Sequence, residues 1–191
     1  KQKIFDASLW IFAASILHFW SILFIALVFI SIFLHVGRDY RNWLLPYIAF
    51  CTIAVLLTLI SLIAGFPILE YIQNQAVISF NFNYFTNQYQ NIALSIFSAI
   101  TVLFLFSQIT TFASKPLILI NSYKKIIIAF FIGVTIYIIS PEKSNNILIY
   151  TFMPLSVMAT GFFENIKIKW YGEITAILII TLSFLSFFLQ L

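Results

Sequence analysis

The chain has 191 residues, of which 62% are hydrophobic and only 8% charged, against about 25% charged in a soluble domain. So few charges cannot cover a water-facing surface. The net charge of +4 comes from basic residues standing singly or in pairs between apolar runs, the pattern of loop charges that orient membrane helices and not of a nucleic-acid patch. The composition therefore predicts an all-α membrane protein, with lipid as solvent and partner and no nucleic-acid partner. The single cysteine, Cys51, lies inside an apolar run, which excludes an internal disulfide and a thiolate metal cluster.

A helix needs about 20 apolar residues to cross the hydrocarbon core. The first apolar run, residues 4–36, would measure about 50 Å as one helix, against a core of about 30 Å. The alternative is two short helices with a tight turn within residues 15–21. Charge decides between them. A hairpin puts Lys1 and Lys3 on the same side as Arg38 and Arg41, whereas a single span would separate them, and the positive-inside rule favours the hairpin. Residues 43–66, 92–113, 147–163 and 174–191 are predicted as further spans. Residues 126–140 form a shorter one between Lys124–Lys125 and Pro141. That makes about seven transmembrane helices, the first two a short helical hairpin, in a single polytopic domain over residues 1–191.

In this arrangement Lys1, Lys3, Arg38, Arg41, Lys115, Lys124, Lys125, Lys167 and Lys169 share one side and Lys143 alone takes the other, so nine of the ten basic residues face one compartment. The expected placement is a bacterial inner (cytoplasmic) membrane, with the first residues cytoplasmic and the last outside. Trp43 and Trp170 then fall at the inner interface and Trp20 at the outer one. The sequence opens at Lys1, not Met, and its basic start leads straight into an apolar run, so a further N-terminal portion is expected before it.

The longest stretch outside the spans, residues 67–91, is predicted as an outer interfacial loop. Its residues 68–75 are expected to form a short interfacial helix. Residues 78–84 alternate apolar Ile78, Phe80, Phe82 and Tyr84 with polar Ser79, Asn81 and Asn83, a period of two that predicts an extended segment with one apolar face. Phe80, Phe82 and Tyr84 serve either as aromatic-belt anchors or as a lipid- or partner-binding platform, and Glu70 is the one acid of this loop. On the inner side, residues 116–120 of the loop 114–125 are expected to dip into the interface.

Ionisable residues within the membrane would mark function, and this sequence places almost none there. Asp6, Asp39, Glu142, Glu164 and Glu173 fall at span ends or in short loops. His18, beside Trp20 at the outer turn, is a candidate contact for lipid or partner, or the polar cap of the turn. His35, with Arg38, Asp39 and Arg41, forms an expected inner cluster against anionic headgroups. The two histidines fall at opposite membrane depths, which disfavours a shared haem. Gln108 is the most polar residue deep in a span, where an interhelical hydrogen bond is the plain expectation. Pro46 is expected in a first helical turn, and Pro154 as a kink. No phosphate-binding loop, HExxH, GxSxG or CxxC pattern is present, and no carboxylate pair suits general acid–base chemistry. No catalytic residue, metal site or cofactor is expected.

The residues Phe5-Asp6-Ala7-Ser8-Leu9-Trp10, Ala13 to Trp20, Arg38 to Tyr40 and Trp43-Leu44-Leu45-Pro46 resemble those of an uncharacterised family of multi-span inner-membrane proteins of Bacteroidota, over most of the chain. That resemblance implies several preceding spans and carries no activity. A second resemblance is architectural. A basic inner loop, a short hairpin, another basic loop and a long span are similar to the middle of the glycosyltransferase C superfamily, whose members use polyprenyl-phosphate-linked sugars. His18-Phe19-Trp20 stands where that superfamily commonly has a Lys-Pro step. Three functions follow as expectations: a non-catalytic subunit or scaffold of a larger inner-membrane complex, with membrane-protein partners; a glycosyltransferase-C-like enzyme or degenerate relative; and a transporter or lipid-handling protein.

Overall fold

The computed structural model describes residues 2–36, 39–65, 67–80, 88–112, 116–141, 144–166 and 169–190. The described residues are α-helical, with no strand among them. The helices are α1 (Gln2–Leu17), α2 (Ile25–Val36), α3 (Tyr40–Ala64), α4 (Ile68–Gln75), α5 (Gln88–Thr111), α6 (Leu117–Ile139), α7 (Ile149–Asn165) and α8 (Lys169–Gln190). Tight 3-10 turns at Phe19–Phe24 and Asn145–Leu148 lead into α2 and α7.

Among the described residues, five helices are long and apolar enough to cross a membrane: α3, α5, α6, α7 with its preceding turn, and α8. This is two fewer than the sequence predicts. The physical reason is the break at His18, whose extended backbone (φ −142°, ψ 106°) divides the first apolar run. It leaves α1 with 16 residues and α2 with 12, both shorter than the roughly 20 of a typical span.

Three boundaries also differ. The fifth of the seven spans expected from the sequence, from residue 126, is α6 and begins at Leu117. Lys124 and Lys125 therefore lie inside α6 and not in a loop. Nothing between Leu117 and Ile126 breaks a helix, lysine is a good helix former, and Pro116 sits just ahead, where its missing N–H costs little. Residues 117–120 accordingly continue the helix and do not dip as a loop. Pro46 is at the seventh position of α3, beyond a first turn, and is buried. Residues 77–80 are irregular, so the expected extended segment finds no strand pairing in its described part.

The chain resolves into two compact units, one of Lys1–Phe80 with Thr135–Pro141, the other of Asn81–Val134 with Glu142–Leu191. In the first, α3 is framed by sequence. The Asp39 carboxylate accepts from the Arg41 backbone N–H (3.2 Å) and caps the helix start, as Asx residues do. Gly65 ends it in the left-handed region (φ +64°), where only glycine is free of a Cβ penalty. Asn42, Pro46, Ala49 and Ile53 recur at helical spacing and are the buried stripe of α3. Against it lies α1, with Phe12 edge-on to Phe50 (5.3 Å) and packed with Ala49 and Ile53.

The direction of each helix in this unit follows from its contacts. Ile22 and Ile25 reach the Phe12–Ala49–Ile53 cluster, whereas Phe29 stacks on Trp43 (5.9 Å) near the start of α3. So α2 runs antiparallel to α3. The Tyr71 hydroxyl, beyond the end of α3, meets the Ile16 carbonyl at the end of α1. So α1 and α3 run parallel, with α2 as the return leg. That leg, six 3-10 residues plus twelve α residues, spans about 30 Å at about 2.0 and 1.5 Å per residue.

In the second unit α5 and α7 run parallel, in register through Gln90–Asn145, Phe97–Phe152 and Phe104–Phe162. Phe104, Phe130, Leu155 and Met158 form its core, with Ile126, Ile127 and Ile179 packed around them. α6 runs antiparallel to α7, with Phe130 against Leu155 and Met158 and Gly133 close to Tyr150. A Cβ there would stand 2.8 Å from the Tyr150 carbonyl oxygen and 2.9 Å from Thr151 Cγ2. Only a glycine admits the neighbouring backbone so closely, the usual device where helices associate without a hydrophobic drive.

Candidate functional site

A polar constellation of the first unit is built around the break between α1 and the 3-10 turn. A helix that stops abruptly leaves backbone donors and acceptors unpaired, and in an apolar setting each must find a partner. Here α4 supplies them. Tyr71 and Gln75 stand four residues apart, hence on one face of α4. The Tyr71 hydroxyl donates to the Ile16 carbonyl (2.9 Å). The Gln75 amide oxygen accepts from the Phe19 backbone N–H (3.2 Å), and its NH2 donates to the Tyr71 oxygen (2.7 Å). One connected chain of hydrogen bonds therefore closes the break from α1 to the turn. His18 helps from within, its N–H bonding the Ala14 carbonyl and its carbonyl accepting from Ser21.

Two side-chain groups beside this clamp are buried without a hydrogen-bond partner: the Trp20 indole N–H and the Ser21 hydroxyl, the latter on a residue only 2% exposed. The rings of Phe19 and Trp20 meet edge to face at 5.4 Å. Of the sequence-predicted residues, His18 and Trp20 are thus brought together here, and Glu70 stands on α4 next to Tyr71 but exposed. Phe80 is exposed as well, at 65%. Tyr71 and Gln75, which carry the geometry, were absent from the candidates. Their only trace in the sequence is the i, i+4 spacing within an expected interfacial helix.

The remaining candidates lie elsewhere. Arg41 is exposed at the start of α3, its guanidinium 6.0 Å above the Tyr40 ring. His35 lies in the last turn of α2. Arg38, Phe82 and Tyr84 fall outside the described residues. Gln108, in the second unit, is 2% exposed and shares one face of α5 with Thr101 and Phe104. Its amide oxygen lies against Gly161 of α7, where an added Cβ would be 3.3 Å away. Its amide nitrogen has no hydrogen-bond partner, nor has the Thr101 hydroxyl. The interhelical hydrogen bond expected of Gln108 is therefore not made through its donor. Asn165, one turn further along α7, donates to the Gly161 carbonyl.

Among the described residues, no three histidine, cysteine or carboxylate side chains gather as a metal site would require. What the arrangement does chemically is satisfy backbone groups at a helix break and pack helices through glycine. Comparison with known proteins finds no matching family model, no matching curated protein and no matching solved structure.

Proposed function

We propose that the chain is a seven-span membrane protein, oriented by its basic residues, that serves as a non-catalytic subunit or scaffold of a larger bacterial inner-membrane assembly. The observation that carries this reading is α8. None of the residues in its spanning stretch is buried, although Ile174, Ile177, Ile180, Phe184, Phe187 and Phe188 are all large, apolar and exposed. Such a face needs lipid or another membrane helix over it.

The seven-span count is supported by the first unit. The return leg of about 30 Å matches the hydrocarbon core, and parallel α1 and α3 bring Lys3 and Arg41 to one end, as the positive-inside rule asks. The parallel α5 and α7, with α6 antiparallel to α7, support the same alternation in the second unit. Lys124 and Lys125 reach the inner headgroups by extending along the helix.

The test is purification of the protein in mild detergent from cells at native expression, with mass spectrometry of what stays bound. Stoichiometric membrane-protein partners are the expected result. A stable monomer with no partner would overturn the scaffold reading, and a retained polyprenyl-phosphate lipid would replace it with the glycosyltransferase-C-like one.

A further inference from the structure

We propose that α4 is a latch that holds the segment Phe19–Phe24 in its 3-10 form, and that release of the Tyr71–Gln75 clamp lets this segment rewind as a continuation of α2. Three independent features of the first unit point to it.

The first is the length of the turn. A 3-10 run is tighter than an α-helix and has poorer hydrogen-bond geometry, so runs beyond about four residues are uncommon; this one has six. It feeds directly into α2, whose first residue, Ile25, lies in the right-handed helical region (φ −61°, ψ −29°). Nothing in Phe-Trp-Ser-Ile-Leu-Phe forbids an α-helix, since the segment contains neither glycine nor proline. The tight form is therefore imposed from outside the segment.

The second feature is where the constraint is applied. The Phe19 N–H, at the very start of the run, is held by Gln75, and Ile16, just before the break, is held by Tyr71. Rewinding six residues from 3-10 to α shortens the segment by about 3 Å and turns its start by about 120°. Both changes pull Phe19 away from Gln75, so the bond and the rewound form exclude one another.

The third is what the closed form leaves unsatisfied. The Trp20 indole N–H and the Ser21 hydroxyl are buried with no partner, a cost that the latched state carries. α4 itself is lightly held. None of its residues is buried, and Leu69 is 77% exposed, as a movable element requires.

The test is hydrogen–deuterium exchange on the full chain in lipid nanodiscs, read at residues 19–24, with Trp20 emission quenched by aqueous acrylamide after Trp10, Trp43 and Trp170 are changed to Phe. In the unaltered chain, residues 19–24 should exchange faster than α1 before them and residues 49–53 of α3. Tyr71→Phe and Gln75→Leu should each speed that exchange by about fivefold, the factor of one net hydrogen bond, and raise Trp20 quenching. Residues 49–53 should stay unchanged. The proposal is overturned if residues 19–24 of the unaltered chain are as protected as residues 49–53, a comparison that needs no variant to fold. It is equally overturned if neither variant alters the exchange, or if both speed it uniformly through α1 and α3, which is ordinary loss of stability.

Discussion

The two units solve one problem in different ways. In the first, elements far apart in sequence are tied by directional polar contacts, with Tyr71 and Gln75 reaching back 55 and 56 residues to the backbone of the α1 break. In the second, helices meet through shape: Gly133 admits the Tyr150 carbonyl, Gly161 accommodates Gln108, and Phe104, Phe130, Leu155 and Met158 fill the interior. The difference follows from what each contains. A broken helix exposes backbone groups that must be paired, so the first unit needs donors and acceptors at fixed points. Longer helices carry most of their own hydrogen bonds, so the second relies mainly on close approach, with the Asn145 side chain donating to the Gln90 carbonyl as a polar tie.

The sharpest way to break the comparison is Gly133→Ala. Because the added methyl meets backbone and not a movable side-chain end, it should lower stability by about 2–3 kcal/mol, despite the gain of up to about 1 kcal/mol in helix propensity. Titration with SDS, followed by circular dichroism, reads this directly. In the first unit, Tyr71→Phe and Gln75→Leu should each cost about 1 kcal/mol. Because the two residues share one hydrogen-bonded chain, the double variant should cost clearly less than the sum, a coupling a double-mutant cycle measures.

Asp39→Ala removes the cap at the start of α3. It should cost about 0.5–1 kcal/mol, additive with the clamp variants, since the cap is local to the start of α3. The smallest effect belongs to Gly161→Ala. There the obstacle is the end of the Gln108 side chain at 3.3 Å, so propensity and crowding nearly cancel, to within about 0.5 kcal/mol. Adding Gln108→Ala to that variant should make it more stable than Gly161→Ala alone, because the crowding and the unpaired amide nitrogen disappear together.

The sequence disclosed those features that depend on local pattern. The long apolar runs placed α3, α5, α7 and α8, the short helix expected at 68–75 is α4, and the turn expected within residues 15–21 is the break at His18. α6 was placed nine residues short because a lysine pair was read as the edge of a loop, although a helix continues through lysines whose long stems reach outward. The clamp escaped notice for a different reason. Tyr71 and Gln75 look like any aromatic and amide on an interfacial helix, and only the fold shows that their partners are main-chain atoms. Gly133 and Gly161 are two of five glycines with no flanking motif, and a glycine's use depends on which backbone approaches it. Gln108 was legible as the polar residue deep in a span, but not the glycine beneath its amide.

The sequence separation of the clamp also sets an order for biosynthesis. The Phe19 N–H leaves the ribosome 56 residues ahead of the Gln75 amide that accepts its proton. At about 5–20 residues per second, that is an interval of about 3–11 s in which the first hairpin exists with its apex unsealed. During that time the backbone groups at the apex need other partners, and the apex can settle only after α3 has been made and α4 emerges behind it. Assembly of the first three helices is therefore completed by the fourth.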